Sequence, residues 1–110
     1  MDCLFCRIAA GEIPSRKVYE DDQMLAFYDI APVAPTHILL IPKAHIGGAD
    51  ELTAENADVV AHIFAMIPKI AAEAGISAYR VVTNNGEEAG QTVRHLHFHL
   101  LGGRTLGEMG

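Results

Sequence analysis

The sequence predicts an α+β fold built around an antiparallel sheet. Apolar segments of strand length are short and separated by turn residues, and only one stretch, residues 53–73, has a long helical periodicity. Most connections between the predicted strands are too short to carry a parallel crossover, so neighbouring strands should run antiparallel. A chain of 110 residues has room for one hydrophobic core. We therefore expect a single domain over residues 1–110.

The first half of the chain is predicted to hold a short helix and then three strands. The helix should span residues 3–10, with Asp2 as its N-cap and Gly11 as its end. Proline, glycine and aspartate separate the apolar segments that follow. These segments predict strands at residues 17–21, 24–30 and 37–42.

The second half is predicted to hold the long helix and two further strands. The helix should begin at Thr53 as its N-cap and stop before Gly75. Pro68 falls inside it and should kink or divide it, because proline removes a backbone donor and clashes with the preceding turn. The remaining strands are predicted at residues 79–84 and 93–101.

Charge and hydropathy exclude several classes of partner. The formal net charge of −6 argues against nucleic acid and anionic membranes as partners, because both attract basic surfaces. It leaves a small anionic ligand open, since backbone N–H groups can hold a phosphate at any net charge. No apolar run reaches the length of a membrane span, and the first residues do not resemble a secretion signal. We expect a cytoplasmic protein.

Three of the six histidines lie at every second position near the C-terminus. On a strand, His95, His97 and His99 would share one face, and the apolar residues between them would share the other. Three explanations stay open: a polar strand face, a metal site, or nucleophilic catalysis by a neutral imidazole. The preceding loop favours catalysis, because Gly86 and Gly90 permit close backbone approach to a ligand. The side chains that follow this loop can also donate hydrogen bonds to phosphate.

The motifs of this region resemble those of a known family. HLHFHLL, preceded by DIAPVAPTHILLIPKAH and GQTVRH and followed by LLGGR, is similar to the histidine triad (HIT) superfamily, and most similar to its Hint branch of nucleotide-binding proteins. The resemblance implies a homodimer whose two five-stranded sheets join into a ten-stranded sheet. It also implies a phosphoramidase that cleaves AMP–amine or GMP–amine conjugates through a nucleotidyl-histidine. The alternatives are a dinucleoside polyphosphate hydrolase and a nucleotide-binding adaptor with incidental turnover.

The resemblance also implies roles for individual residues. His97 would be the nucleophile, His99 would bind the phosphate and help protonate the leaving group, and His37 would support the triad from the neighbouring strand. Thr92 would offer its hydroxyl to the phosphate or the leaving group. The residues that would bind the nucleotide are Ile8, Ile13, Phe27, Tyr28, Asp29, Ile30, Leu39, Asn84, Gly90, Gln91 and Val93.

Simpler interpretations of several nucleotide-binding candidates stay open. Asp29 can cap the turn into APVAP, because aspartate favours such turns. Ile8, Ile13 and Leu39 would be core residues in most sequences, and Gly90 can be a plain turn glycine. Apolar walls also do not rank adenine above guanine.

A structural zinc site is the final implication of the resemblance. Its ligands would be Cys3, Cys6, His45 and His95. Two thiolates and two imidazoles form a closed tetrahedral set, which is structural rather than catalytic. We expect no catalytic metal. The alternative is a pair of reduced, partly buried thiols, because the spacing is not that of a zinc finger.

Overall fold

The structure is a computed structural model that describes residues 3–109. Its strands are β1 Lys17–Glu20, β2 Met24–Tyr28, β3 Thr36–Pro42, β4 Tyr79–Val82 and β5 Phe98–Gly102, and its helices are α1 Leu4–Ala9 and α2 Asp58–Glu73. The strands form one antiparallel sheet in the spatial order β1-β2-β3-β5-β4. Short 3-10 turns lie at Ala49–Glu51 and Glu87–Ala89. The predicted α+β class and five-stranded antiparallel sheet are confirmed.

Both faces of the sheet are covered, each by one helix. Ile63, Ile67 and Ile70 of α2 pack against one face, and Phe5 and Ile8 of α1 pack against the other. Alternate residues of β2 and β3 contribute to the two cores, as expected for side chains that point to opposite sides of a strand. This explains why these two strands read as nearly continuous apolar runs in the sequence.

Helix α2 starts later than predicted and continues past its proline. Residues 53–57 form a turn that Thr53 caps, because its Oγ1 accepts from the N–H of Glu55 at 3.2 Å and its own N–H donates to Asn56 Oδ1 at 2.7 Å. The helix itself begins only at Asp58, with Ala57 in the N-cap position. Of the two effects predicted for Pro68, division of the helix is wrong, because the helix is continuous from Asp58 to Glu73, and a kink stays a prediction. Pro68 lies on the exposed side, where water can bond the carbonyl that proline leaves without an N–H donor.

Strand β5 is also shorter than predicted. The backbone bends at residues 93–95, where the N–H of His95 donates to the carbonyl of Val93 at 2.8 Å. The N–H of Leu96 then donates to Ile46 at 2.6 Å, outside the sheet ladder. Of the three alternating histidines, only His99 therefore lies within the strand. The apolar half of the pattern holds, because Leu96, Phe98 and Leu100 all pack in the core beneath α2.

The N-terminal helix is capped by a thiol. The predicted cap, Asp2, lies outside the described residues; in the structure Cys3 occupies the N-cap, and its Sγ accepts a hydrogen bond from the N–H of Cys6 at 3.3 Å. Gly11 follows the helix with φ of 80°, the left-handed conformation that glycine adopts easily. Within residues 3–109, no helix is both long and apolar enough to cross a bilayer.

Candidate active site and metal centre

Two histidines meet on the face of the sheet that α1 covers. His37 lies on β3 and His99 on β5, the neighbouring strand. His99 is paired with Leu39, which belongs to the core beneath α1, so both rings point to that side. Their nitrogens, His37 Nε2 and His99 Nδ1, are 2.9 Å apart. His37 and His99 are therefore directly hydrogen-bonded to each other.

The backbone around this pair fixes where its protons lie. The N–H of Val33 donates to His37 Nδ1 at 3.1 Å, so the neutral His37 ring carries its proton on Nε2. That Nε2–H donates to His99 Nδ1. A neutral His99 must then hold its own proton on Nε2, the nitrogen not used in the pair. These two hydrogen bonds in series therefore leave His99 with an Nε2–H group that can donate to a bound ligand.

His97 carries its proton on the other ring nitrogen, Nδ1. Its Nδ1 lies 2.7 Å from the backbone carbonyl of His95, and a carbonyl can only accept, so the proton of neutral His97 lies on Nδ1. The lone pair is therefore on Nε2. The ring is 5.0 Å from that of His99, centroid to centroid. A nucleophilic nitrogen and a hydrogen-bond donor are thus neighbours, which is the arrangement that attack on a phosphoryl group needs.

The charge state of the pair follows from its burial. Burial, reinforced by the neighbouring His97 and His37 rings, lowers the pKa of His99 to about 4 against the opposing effect of Asp29. Burial also lowers the pKa of His37, more than the Asp29 carboxylate raises it. Both rings are therefore neutral near pH 7, as the hydrogen-bond arrangement requires.

An apolar cleft of about 290 Å³ opens between α1, β2 and the segment before the triad. Asp29 lies in this cleft; its Oδ1 accepts from the N–H of Ala31 at 2.8 Å, and its Oδ2 lies 3.4 Å from His37 Nε2. Asp29 thus caps the turn and still presents an oxygen near the histidine pair. Of the predicted residues, the cleft is lined by Ile8, Ile13, Phe27, Tyr28, Asp29, Ile30, Leu39, Thr92 and Val93.

Three predicted nucleotide-binding residues do not line this cleft. The Gln91 amide is occupied, because its Nε2 donates to the carbonyls of Gly47 and Val93 at 2.8 and 3.0 Å and its Oε1 accepts from Arg94 at 2.9 Å. Gln91 therefore holds the loop together. Gly90 has φ of 98°, a left-handed turn conformation, and Asn84 packs beside it. Thr92 also borders a second cavity of about 360 Å³, which Gln91 and Arg94 line.

The four predicted metal ligands lie together, with their ligand atoms within 4.8 Å of one another. Cys3 Sγ is 3.4 Å from His95 Nδ1, and Cys6 Sγ is 3.5 Å from the same nitrogen and 3.2 Å from His45 Nδ1. In tetrahedral zinc, Zn–S and Zn–N bonds of about 2.3 and 2.0 Å separate sulfur from nitrogen by about 3.5 Å. The spacing therefore fits a zinc ion.

The second contact of His95 supports the same assignment. Its Nε2 lies 2.8 Å from the carbonyl of Pro42, so the proton is on Nε2 and the Nδ1 lone pair faces the thiols. Histidines that bind metals usually donate their other N–H in this way. Burial lowers the pKa of His95, which keeps the ring neutral. Burial and the neighbouring Cys3 raise the pKa of Cys6 to about 11, so an ion has to displace the thiol proton.

Another group, Asp29, His37 and His99, is equally compact but does not fit a metal. His37 would have to bind through Nε2, and its Nδ1 would then carry the proton. That proton would point at the N–H of Val33, a donor rather than an acceptor. The backbone thus disfavours an ion between these three residues.

Several contributors to the site were missed by the sequence prediction. Val33 and Pro42 act through their backbone N–H and C=O, for which a side-chain pattern gives no signal. Phe5 lies in α1 between the two cysteines and contacts His97. A large apolar residue between two predicted metal ligands was a signal from which its place at the site could have been predicted. Ser15 lines the cleft. Its Oγ is buried and has no hydrogen-bond partner among residues 3–109. Leu4 and Pro14 also line the cleft.

A known domain family, curated proteins and solved structures all match this chain over most of its length. The sequence model of the HIT domain family matches residues 10–106. The purine nucleoside phosphoramidase of Escherichia coli K12 is 44% identical over 110 residues, 98% of this chain and 92% of that protein. A histidine triad protein from Clostridium difficile is 50% identical with a TM-score of 0.95, covering 100% of this chain and 97% of that one. A HIT family hydrolase from Clostridium thermocellum is 45% identical with a TM-score of 0.94, covering 98% and 96%. The chain therefore belongs to the HIT domain family, as its histidine motif predicted.

Proposed function

We propose that this protein is a purine nucleoside phosphoramidase of the Hint type, which hydrolyses the P–N bond of nucleoside 5′-phosphoramidates. The observation that carries the proposal is the hydrogen bond from His97 Nδ1–H to the carbonyl of His95 at 2.7 Å, which leaves the Nε2 lone pair free beside His99. The phosphoramidase of Escherichia coli, 44% identical over nearly the whole chain, supports the choice of substrate class.

The first step is attack by His97 Nε2 on the phosphorus. A bond forms between Nε2 and phosphorus, the P–N bond of the substrate breaks, and its electron pair leaves with the amine nitrogen. His99 and Thr92 relay one proton from solvent to that nitrogen. His99 Nε2–H also donates to a phosphoryl oxygen, where negative charge builds up. The carbonyl of His95 stabilises the positive charge that the His97 ring acquires.

The second step is hydrolysis of the nucleotidyl-histidine. Water attacks the phosphorus, the bond to Nε2 breaks, and its electron pair returns to the His97 ring. The proton of the water passes to solvent, and the nucleoside monophosphate is released. Splitting the reaction into two displacements is what a covalent nucleophile contributes.

The apolar cleft suits the nucleoside part of the substrate. Its walls of Phe27, Ile8 and Leu39 can contact the flat faces of a purine, and Asp29 offers carboxylate oxygens to the ribose hydroxyls. Thr92 borders both this cleft and the second cavity, so we assign the leaving group to the second cavity. AMP and GMP conjugates are both substrates to test.

We further propose that zinc is bound by the metal cluster, defined as Cys3, Cys6, His45 and His95. Bound zinc would act as a structural cross-link, because four protein ligands leave no open coordination position for chemistry. No step of the reaction needs it. The two thiols are free in the structure, and thiolate ligands require a reducing compartment, which favours the cytoplasm.

A homodimer joined through β4 completes the proposal. The two edges of the sheet are β1 and β4. The register of β1 shifts between Lys17 and Tyr19, and such irregular edges resist pairing with another chain. Strand β4 is regularly paired and carries Val81 and Val82, which are only partly buried. A second copy can therefore extend the sheet at β4.

Mass spectrometry of protein quenched during turnover of an adenosine 5′-phosphoramidate tests the mechanism. We expect an adduct of one nucleoside monophosphate on the peptide that contains His97. The His97→Ala variant should lack both the adduct and turnover but still bind AMP. Turnover by that variant at the wild-type rate would contradict the mechanism, and absence of phosphoramidate hydrolysis by the wild type would contradict the proposed function.

A further inference from the structure

We propose that Phe5 couples the metal cluster to the nucleotide cleft, so that zinc occupancy sets the affinity for nucleotide. Phe5 is in this sense a positioning residue. The inference rests on the function proposed above, because it concerns binding of the same nucleotide in the same cleft. It follows from the position of one short helix between the two sites.

Helix α1 cannot hold its position without tertiary contacts. It has six residues, and helices shorter than about 12 residues are marginal in water on their own. Cys3 caps its start and Cys6 is its third residue. Both thiols face His95, which lies in the segment leading to β5, and Cys6 also faces His45 in the loop after β3. An ion held by these four side chains would tie the helix to two segments that adjoin the sheet, the loop after β3 and the segment leading to β5.

The same helix supplies one wall of the cleft. Leu4, Phe5 and Ile8 all line it, and Phe5 lies between the two cysteines in sequence. The Phe5 ring is buried, with 5% of its surface exposed. It contacts the rings of His97 and His95 edge-on, with centroids 5.0 and 6.0 Å away. Phe5 therefore touches a metal ligand, the proposed nucleophile and the cleft at once.

Removing the ion would replace four metal–ligand bonds with weaker contacts of the two thiols with His45 and His95, and α1 would depend more on its apolar packing. Phe5 also packs edge-on against Phe27 on β2, with centroids 5.7 Å apart, so the helix would keep a preferred position. The position of α1 would be less restricted, however. A nucleotide that binds in the cleft would then have to order the α1 side chains that form its wall. Ordering a loosened wall weakens binding, whereas a wall already ordered by the ion does not impose this cost.

Calorimetric titration with AMP, which the enzyme does not turn over, measures this coupling. The full-length protein is compared in its zinc-loaded form and in its metal-free, reduced form, with circular dichroism to verify folding. We expect the Kd for AMP to rise about fivefold or more when zinc is removed, the lower range for coupled sites. In Phe5→Ala the Kd should be raised in both forms and should no longer depend on zinc.

Phe64→Ala is the matched control. Phe64 is a half-exposed aromatic residue of α2 that packs edge-on against Phe98 on the other face of the sheet, so its loss should leave the zinc effect intact. An equal Kd for AMP with and without zinc, in folded wild-type protein, would overturn the inference.

A second measurement covers the case in which the metal-free protein unfolds. Zinc-loaded Phe5→Leu keeps the metal cluster and an apolar side chain but loses the flat ring. It should bind AMP several-fold more weakly than zinc-loaded wild type, whereas wild-type affinity in this variant would also overturn the inference. Failure of the zinc-loaded wild type to bind AMP would instead contradict the proposed function, and the inference would fall with it.

Discussion

The metal cluster and the group of Asp29, His37 and His99 are two compact sets of ligand-type side chains in one small protein, yet only the first fits an ion. The difference lies in the backbone. His95 donates its outer N–H to the carbonyl of Pro42, which frees Nδ1 for a metal. His37 accepts from the N–H of Val33, which forces a proton onto the nitrogen that a metal would need. The chemistry of a histidine group thus depends on which backbone atom contacts its far nitrogen.

The largest expected effect concerns His97, which contacts both groups. Its Nδ1 donates to the backbone of His95, and its ring neighbours His99. His97→Ala should lower kcat for an adenosine phosphoramidate by at least about 10³-fold, because the nucleophile is lost, with the Kd for AMP little changed. Steady-state kinetics and calorimetry check this, and a loss of less than tenfold would be inconsistent with covalent catalysis by this residue.

Metal content tests the comparison directly. We expect one zinc per chain, lost in Cys3→Ser/Cys6→Ser and retained in His37→Ala, because only the metal cluster presents free lone pairs. Chelation should lower Tm by about 10 °C or more, since the ion binds the folded chain preferentially. Elemental analysis and thermal unfolding measure both quantities. Two zinc ions per chain, the second one lost in His37→Ala, would refute the argument from the Val33 contact.

The pH dependence of stability tests the neutral state of the histidine pair. The pKa of His99 is about 4 in the folded chain, against an ordinary value of 6.5. Between these values the unfolded chain binds more protons, so the free energy of unfolding should fall as the pH is lowered from about 6.5 towards 4. His99→Asn should show a shallower decline under the same metal conditions. Denaturant titrations at pH 7 and pH 5 measure this, and identical declines would argue against a neutral buried pair.

A histidine on the other side of the molecule gives the smallest expected effect and a contrasting case. His62 of α2 lies 2.6 Å from Asp21 Oδ2, so its partner is a carboxylate rather than the backbone. Burial alone would raise the pKa of Asp21, but hydrogen bonds from His62, the N–H of Gln23 and the Tyr19 hydroxyl hold it well below its usual range. Asp21→Asn should lower the free energy of unfolding at pH 7 by about 1–3 kcal/mol.

Asp22→Asn is the matched control for this contact. Asp22 is the exposed neighbour in the same turn, so its substitution should change the stability little. Chemical denaturation at pH 7 compares the two variants, and an equal effect of both would mean that the contact with His62 contributes nothing.

Side-chain patterns predicted much of this molecule, and backbone geometry accounts for most of what they missed. The periodicity of Val59 to Ile70 revealed α2, but Thr53 was assigned as its cap because the turn closed by Asn56 cannot be read from periodicity. The alternation around His97 revealed the buried apolar face, although the strand begins only at Phe98. The proton positions of the histidines depend on backbone atoms of Val33, Pro42 and His95, which no residue type in the sequence identifies.

The contact between Val33 and His37 has a consequence for redesign of the loop between β2 and β3. The side chain of Val33 is 65% exposed, and only its main-chain N–H reaches the imidazole. An engineer can therefore exchange the side chain at this position for almost any other, to add a label or improve solubility, without disturbing the tautomer on which the site relies. Proline alone, which has no N–H to offer, would release His37 to take up its proton on either nitrogen.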